Sequence, residues 1–167
     1  MRKVLTLCMV MQDGKLLLGM KKRGFGMGRW NGFGGKVEEG ESIEEAARRE
    51  VFEESGLAAR SVKKRGLIRF DFEDGTPGVE VHIFACDDFE GEAEESEEMR
   101  PEWFDVDKIP VARMWTADAL WLPLFLSGKT FEGDFTYDRP SSSDRTSVII
   151  RKNLVVIDNE PGRSIFA

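Results

Sequence analysis

Three glutamates, Glu50, Glu53 and Glu54, stand at spacings of three and four in a stretch of chain that reads as a helix. On a wheel of 100° per residue with Ile43 at zero, Ala46, Ala47 and Val51 form an apolar stripe, and Glu50, Glu53 and Glu54 fall at about 340°, 280° and 20° on that same stripe. Carboxylates so placed repel one another and raise one another's pKa, so a positive partner is required. A hard divalent cation such as Mg²⁺ meets the need, because it takes oxygen ligands and is commonly shared with substrate phosphates. The plainer alternative is neutralisation by Arg48 and Arg49 in surface pairs.

Just before this helix, residues 24–40 are dense in glycine, with Trp30 and Asn31 embedded. Such a composition suits backbone that approaches a ligand closely rather than a helix or a central strand. After it, Asp87 to Glu98 holds eight acids and no base, a run whose simplest reading is a solvated loop.

The elements that must position these groups follow from local patterns. Val4–Met11 and Leu16–Met20 read as strands around an Asp13-Gly14 hairpin turn. Ser42 with Glu45 has capping-box spacing and Gly56 suits a left-handed helix end, which predicts a helix over 43–55. Leu67–Phe72 and Val79–Cys86 read as strands around Asp74-Gly75, and Trp103–Val106 as a shorter one. Trp115–Leu126 reads as a loop feeding a short helix that Pro123 must start or kink. Val148–Ile157 is apolar, with Lys152-Asn153 as a possible hairpin turn, 139–147 is a polar loop, and 158–167 reads as a loose tail. Strands interspersed with helices predict an α/β or α+β fold in one domain over 1–167.

The chain has 167 residues, 41% hydrophobic and 33% charged, with a net charge of −7. That acidity argues against a binder of nucleic-acid polymers, which needs a basic surface. No apolar run reaches the roughly 18 residues of a membrane helix and no signal peptide is read, so a protein off the membrane is expected. Cys8 and Cys86 sit in apolar runs without metal-type spacing and read as reduced core residues, which implies a cytoplasmic setting.

The run from Gly35 through Glu41 to Arg49-Glu50-Val51-Phe52-Glu53-Glu54-Ser55-Gly56-Leu57 resembles the signature of the Nudix hydrolases at every specified position. The likeness extends over about Val4–Tyr137 to the MutT-like branch that acts on oxidised purine nucleoside triphosphates. It is carried by Gly19–Gly26, Gly28–Val37 and Ser96–Pro101 and is weaker after Tyr137. The resemblance implies an α/β/α sandwich with a mixed sheet between helices, in a monomer. It implies Mg²⁺, for which Mn²⁺ can substitute, held by Glu50, Glu53, Glu54, Glu98 and the carbonyl of Gly34, with Arg49 orienting the carboxylates. The reaction implied is attack of water on a nucleoside triphosphate, releasing monophosphate and pyrophosphate in sanitation of the nucleotide pool.

By the same resemblance the purine stacks on Trp115 and Phe25, with Trp121 beside it, while Thr6, Asn31 and Asp118 read its edge; core packing explains Trp121 and Phe25 equally well. Phe33, Gly34, Gly35 and Lys36 contact the substrate, and Lys21 meets a phosphate or the loop, the plainer alternative being an exposed lysine. A buried Asp118 can also hold a proton, since desolvation raises a carboxyl pKa. One position departs from the branch: Ala117 stands where an acid precedes Asp118. That departure keeps open a Nudix diphosphatase acting on other nucleotides, such as dinucleoside polyphosphates, while a non-catalytic nucleotide-sensing module would be expected to have lost the carboxylates.

Overall fold

The computed structural model describes residues 1–140 and 147–157. The expected polar loop, apart from its first two residues and its last, and the expected tail lie outside the described residues. In chain order the elements are β1 (Lys3–Gln12), β2 (Lys15–Lys21), β3 (Trp30–Asn31), α1 (Ile43–Ser55), β4 (Ala58–Phe72), β5 (Val79–Glu90), β6 (Met99–Asp105), a 3-10 turn (Val111–Arg113), α2 (Asp118–Leu126), β7 (Thr130–Tyr137) and β8 (Ile149–Ile157). The strands form one mixed sheet in the order β3-β2-β1-β5-β4-β7-β8, with β6 also paired to β2. Pairs β1–β5 and β4–β7 are parallel and the others antiparallel.

The sheet lies between the two helices because β1 is apolar on both faces. Leu7 and Met9 join Trp121 and Phe125 of α2 in one layer, while Cys8 and Val10 join Ala47 and Val51 of α1 in the other. Strands covered on both faces read as continuous apolar runs, as this one does. Each large side chain so buried contributes about 1.5–3 kcal/mol of transfer free energy. Cys8 and Cys86 are buried free thiols, as expected.

Turn and cap chemistry set the element ends. Asp13 and Gly14 have φ of 51° and 73°, the two positive values a tight hairpin turn demands, and Gln12 faces Lys15 across it. In α1 the Ser42 hydroxyl accepts from the Glu45 N–H at 3.0 Å while the Glu45 carboxylate accepts from the Ser42 N–H at 3.1 Å, and Gly56 closes the helix at φ 79°. Helix α2 is apolar almost all round, and Arg65 donates to the carbonyls of Phe125 and Lys129 at its C-terminal end.

Several boundaries differ from expectation. Pro123 does not start α2 but sits inside it. β8 runs straight through Lys152-Asn153, because β7 supplies a partner at both residues. β5 continues to Glu90, so the acidic run begins inside the sheet rather than in a loop. β4 begins at Ala58, well before the apolar stretch that announces it, and β7 is a full strand. No helix among the described residues is long and apolar enough to cross a membrane.

Candidate active site

Helix α1 and the glycine-rich loop meet along the carboxylate stripe. Glu54 is buried, and its Oε1 accepts the Gly34 N–H at 2.8 Å. Burial pushes its carboxyl up to about 8; the Gly34 N–H opposes that rise and the charge of Glu50 adds to it. Glu50 is half-buried and also raised by burial, with Arg49 acting against the shift.

Arg49 is the hub of this surface. Its guanidinium donates to both oxygens of Glu41 (2.7 and 3.0 Å), to Glu50 at 2.9 Å, to Glu53 at 3.2 Å and to the Lys36 carbonyl at 3.0 Å. A planar fork with five donors can hold carboxylates from a loop and a helix in one fixed arrangement. The neutralisation of α1 acids by an arginine, weighed from sequence as the alternative to a cation, is thus present for Glu50 and Glu53. Glu54 is bonded instead to backbone.

Two glycines stand at close contacts, the first with backbone and the second with a carboxylate. A Cβ on Gly34 would overlap the Thr6 carbonyl, and one on Gly35 would lie 2.5 Å from Glu50 Oε1. The Thr6 N–H donates to the Gly35 carbonyl at 2.9 Å, which fastens the loop to β1. Glu98 lies across from α1 and accepts from Lys21 at 2.9 Å and from Arg23 at 3.0 Å; Lys21, then Arg23, hold its carboxyl below the usual range.

Among the described residues no three acids, cysteines or histidines converge into a ready-made metal cage. The donors of α1 nonetheless fit a hard divalent ion, for they are all oxygens, and the missing Cβ of Gly35 lets the Glu50 carboxylate lie against the glycine loop.

Next to this carboxylate surface opens a cavity of about 520 Å³. Of the residues expected at the substrate, Thr6, Lys21, Phe25, Asn31, Gly34, Gly35, Lys36, Trp115, Asp118 and Trp121 line it, together with Glu54. Glu50, Glu53, Glu98 and Arg49 stand outside the lining. So does Phe33, whose ring is fully buried in the α1 layer and whose backbone pairs with Cys8. Its aromatic ring packs in the core behind the site.

Asp118, at the start of α2, is 4% exposed and accepts from the Trp115 N–H at 3.1 Å and from the Trp121 indole at 3.0 Å. Burial pushes its carboxyl up to about 7 against both bonds and the charge of Arg29. Ala117 is fully buried. Phe25, largely exposed, stacks on Trp115 with centroids 5.1 Å apart.

Three features escape the sequence reading. Arg29 is 6% exposed and stacks over Trp115 with its Cζ 4.0 Å from the ring centroid. Tyr137 reaches the cavity, its hydroxyl 2.8 Å from that of Thr116. Phe70, Phe72, Val79 and Val81 supply an apolar wall. Of these only Arg29 carried a signal, as a cation inside the glycine-rich loop two residues before Asn31.

This pairing of a capped, carboxylate-bearing helix with a glycine loop on a mixed sheet defines the class: residues 1–125 match the NUDIX domain model, and the chain belongs to the Nudix family. Among individual proteins, it is 58% identical over 135 residues to an oxidized purine nucleoside triphosphate hydrolase of Danio rerio, covering 81% of this chain and 86% of that protein. It is 53% identical over 135 residues to the protein of the same name in Mus musculus, with the same coverage. The crystal structure of a mutator MutT protein from Bacillus halodurans aligns with a TM-score of 0.77 at 28% identity, covering 91% of this chain and 97% of that one. The mixed sheet between two helices is the arrangement expected from sequence.

Proposed function

We propose that this Nudix hydrolase converts oxidised purine nucleoside triphosphates, such as 8-oxo-dGTP, to the monophosphate and pyrophosphate, and so clears them from the nucleotide pool. The observation that carries the reading is that Gly34 and Glu54 belong both to the carboxylate surface and to the cavity. A nucleotide whose base enters the cavity therefore delivers its phosphates to α1. The relatives' shared name points to the same substrate class.

In this reading Asp118, Asn31 and Thr6 hydrogen-bond the purine edge, Trp115 and Phe25 offer aromatic faces, and Trp121 holds Asp118 in place. Lys21 and Lys36 meet the phosphate charge, with Gly35 allowing close approach. Arg49 orients Glu50 and Glu53, and a carboxylate of α1 accepts the proton of the attacking water. Nudix hydrolases generally use a divalent metal; here Glu50, Glu53, Glu54, Glu98 and the Gly34 carbonyl are the groups that would hold Mg²⁺ or Mn²⁺. When bound, that ion neutralises charge on the phosphate oxygens and activates water. The net charge of −7 favours a small substrate met locally over a nucleic-acid polymer, and a monomer in the cytoplasm, with its thiols reduced and no membrane attachment, completes the proposal.

One observation favours a second reading, a diphosphatase of other nucleotides: the buried Ala117 supplies no second acid beside Asp118. Formation of nucleoside monophosphate, a product common to both reactions, with Mg²⁺ and with EDTA, across dGTP, 8-oxo-dGTP, 2-hydroxy-dATP, dATP and a dinucleoside polyphosphate, separates the two. A preference in kcat/KM of about ten-fold or more for an oxidised purine, worth about 1.4 kcal/mol, supports sanitation. Highest activity on the dinucleoside polyphosphate transfers the proposal to the second reading.

A further inference from the structure

A guanidinium is seldom buried in a cavity wall without a task, because it loses its hydration there. Arg29 is 6% exposed and lines the cavity beside Asn31 and Trp115. Its backbone is pinned at the root of the loop between β2 and β3, where its N–H donates to the Gly26 carbonyl at 3.0 Å and its carbonyl accepts from the Lys21 N–H at 3.0 Å. From that fixed root the side chain extends over the Trp115 ring, 4.0 Å from the centroid, a close cation–π distance.

Trp115 needs such a partner. It lies between the 3-10 turn and α2, outside any helix or strand, and the backbone beside it is held through the Asp118 carboxylate. Phe25, which stacks on the same ring, is largely exposed and sits between two glycines with φ of 74° and 85°, so it anchors the indole weakly. The charge of Arg29 also acts on Asp118 and on Tyr137, which places one cation within reach of all three groups at this end of the cavity.

We propose that Arg29 is a positioning residue for base recognition, whose guanidinium fixes the Trp115 ring beside Asp118 so that the two present one stacking face and one hydrogen-bonding edge to the purine. The inference rests on the proposed purine triphosphatase reading and adds to it the group that sets the geometry of the base site. Arg29 itself need not touch the phosphates, so its removal weakens base binding more than it slows phosphate chemistry.

The test compares wild type with Arg29→Met, which keeps the apolar stem and removes the charge, and Arg29→Lys, which restores a cation. Mg²⁺-dependent pyrophosphate release is followed on 8-oxo-dGTP and on dGTP, with thermal denaturation to check folding. The expected result is a KM for 8-oxo-dGTP raised about ten-fold in the Met variant, with a smaller change in kcat, a reduced preference over dGTP, and partial recovery in the Lys variant. If the Met variant does not fold, Arg29→Gln takes its place. An unchanged KM, a loss confined to kcat, or a Lys variant no better than the uncharged one overturns the proposal. A wild type that does not prefer 8-oxo-dGTP over dGTP overturns the purine reading and this proposal with it, whereas a preference retained in the uncharged variant overturns this proposal alone.

Discussion

Replacing Asp118 by Asn should flatten part of the protein's stability profile with pH. The Asp118 carboxyl is 4% exposed and pushed from an ordinary value of 3.8 up to about 7 by burial. In the unfolded chain the same group ionises near its ordinary value. Between these two points the native state holds a proton that the unfolded state has lost, so stability falls as pH rises from about 4 to about 7 and is level above. At about 1.4 kcal/mol per pH unit the whole interval is worth about 4 kcal/mol, of which about 3 lies between pH 5 and pH 7. An Asn is neutral throughout and lacks this slope. It also offers one acceptor oxygen where Asp118 serves two donors through two oxygens, which costs about 1–3 kcal/mol at every pH. Urea unfolding of both proteins from pH 5 to pH 8 measures the difference curve. The wild-type advantage should shrink by about 3 kcal/mol toward neutral pH. A flat difference, or one that grows with pH, would show that Asp118 is ionised in the folded protein and refute the reasoning.

Glu54→Gln keeps side-chain size and the bond from Gly34 but removes a proposed metal-binding oxygen; turnover should fall by orders of magnitude with far-UV circular dichroism unchanged, and near-normal turnover would remove Glu54 from the metal set. Gly35→Ala puts a Cβ 2.5 Å from Glu50 Oε1, so the carboxylate must move from its place beside Arg49; a loss on the order of 100-fold in kcat is expected from steady-state kinetics. Trp115→Ala removes the ring on which Phe25 and Arg29 both stack, and KM for an oxidised purine triphosphate should rise about ten-fold or more.

The parts of the fold legible in sequence are those governed by a local rule. Asp13-Gly14 demands two positive φ values, Ser42 and Glu45 cap one another, and Gly56 ends the helix, so β1, β2 and α1 appear where their residues announce them. The parts that were not legible depend on partners distant in sequence. Residues 58–66 carry Arg60, Lys63, Lys64 and Arg65, too polar to read as strand, yet β5 offers them a ladder with three register shifts. Lys152-Asn153 resembles a turn until β7 is placed alongside. At the site, the line of α1 carboxylates was visible because helical spacing alone places it. Phe33 misled because a ring in a glycine loop can face a ligand or the core, and only the pairing with Cys8 decides between them. Arg29 was overlooked because the ring it stacks on, Trp115, is remote in sequence.

Strand β1 is the wall common to both hydrophobic layers. Leu7 and Met9 face one layer, Cys8 and Val10 the other, and the three from Cys8 to Val10 are wholly shielded from solvent. Losing the packing on either side therefore strips cover from the same backbone, which ties the melting of the α1 layer to that of the α2 layer. Amide protons of this segment should exchange only through the largest opening the molecule undergoes. Thr6, whose amide bonds the Gly35 carbonyl, stands next to this segment, so the glycine loop is fastened beside the most protected stretch of the sheet. The glycine loop thus inherits its rigidity from the core, with no need of stiffening residues of its own.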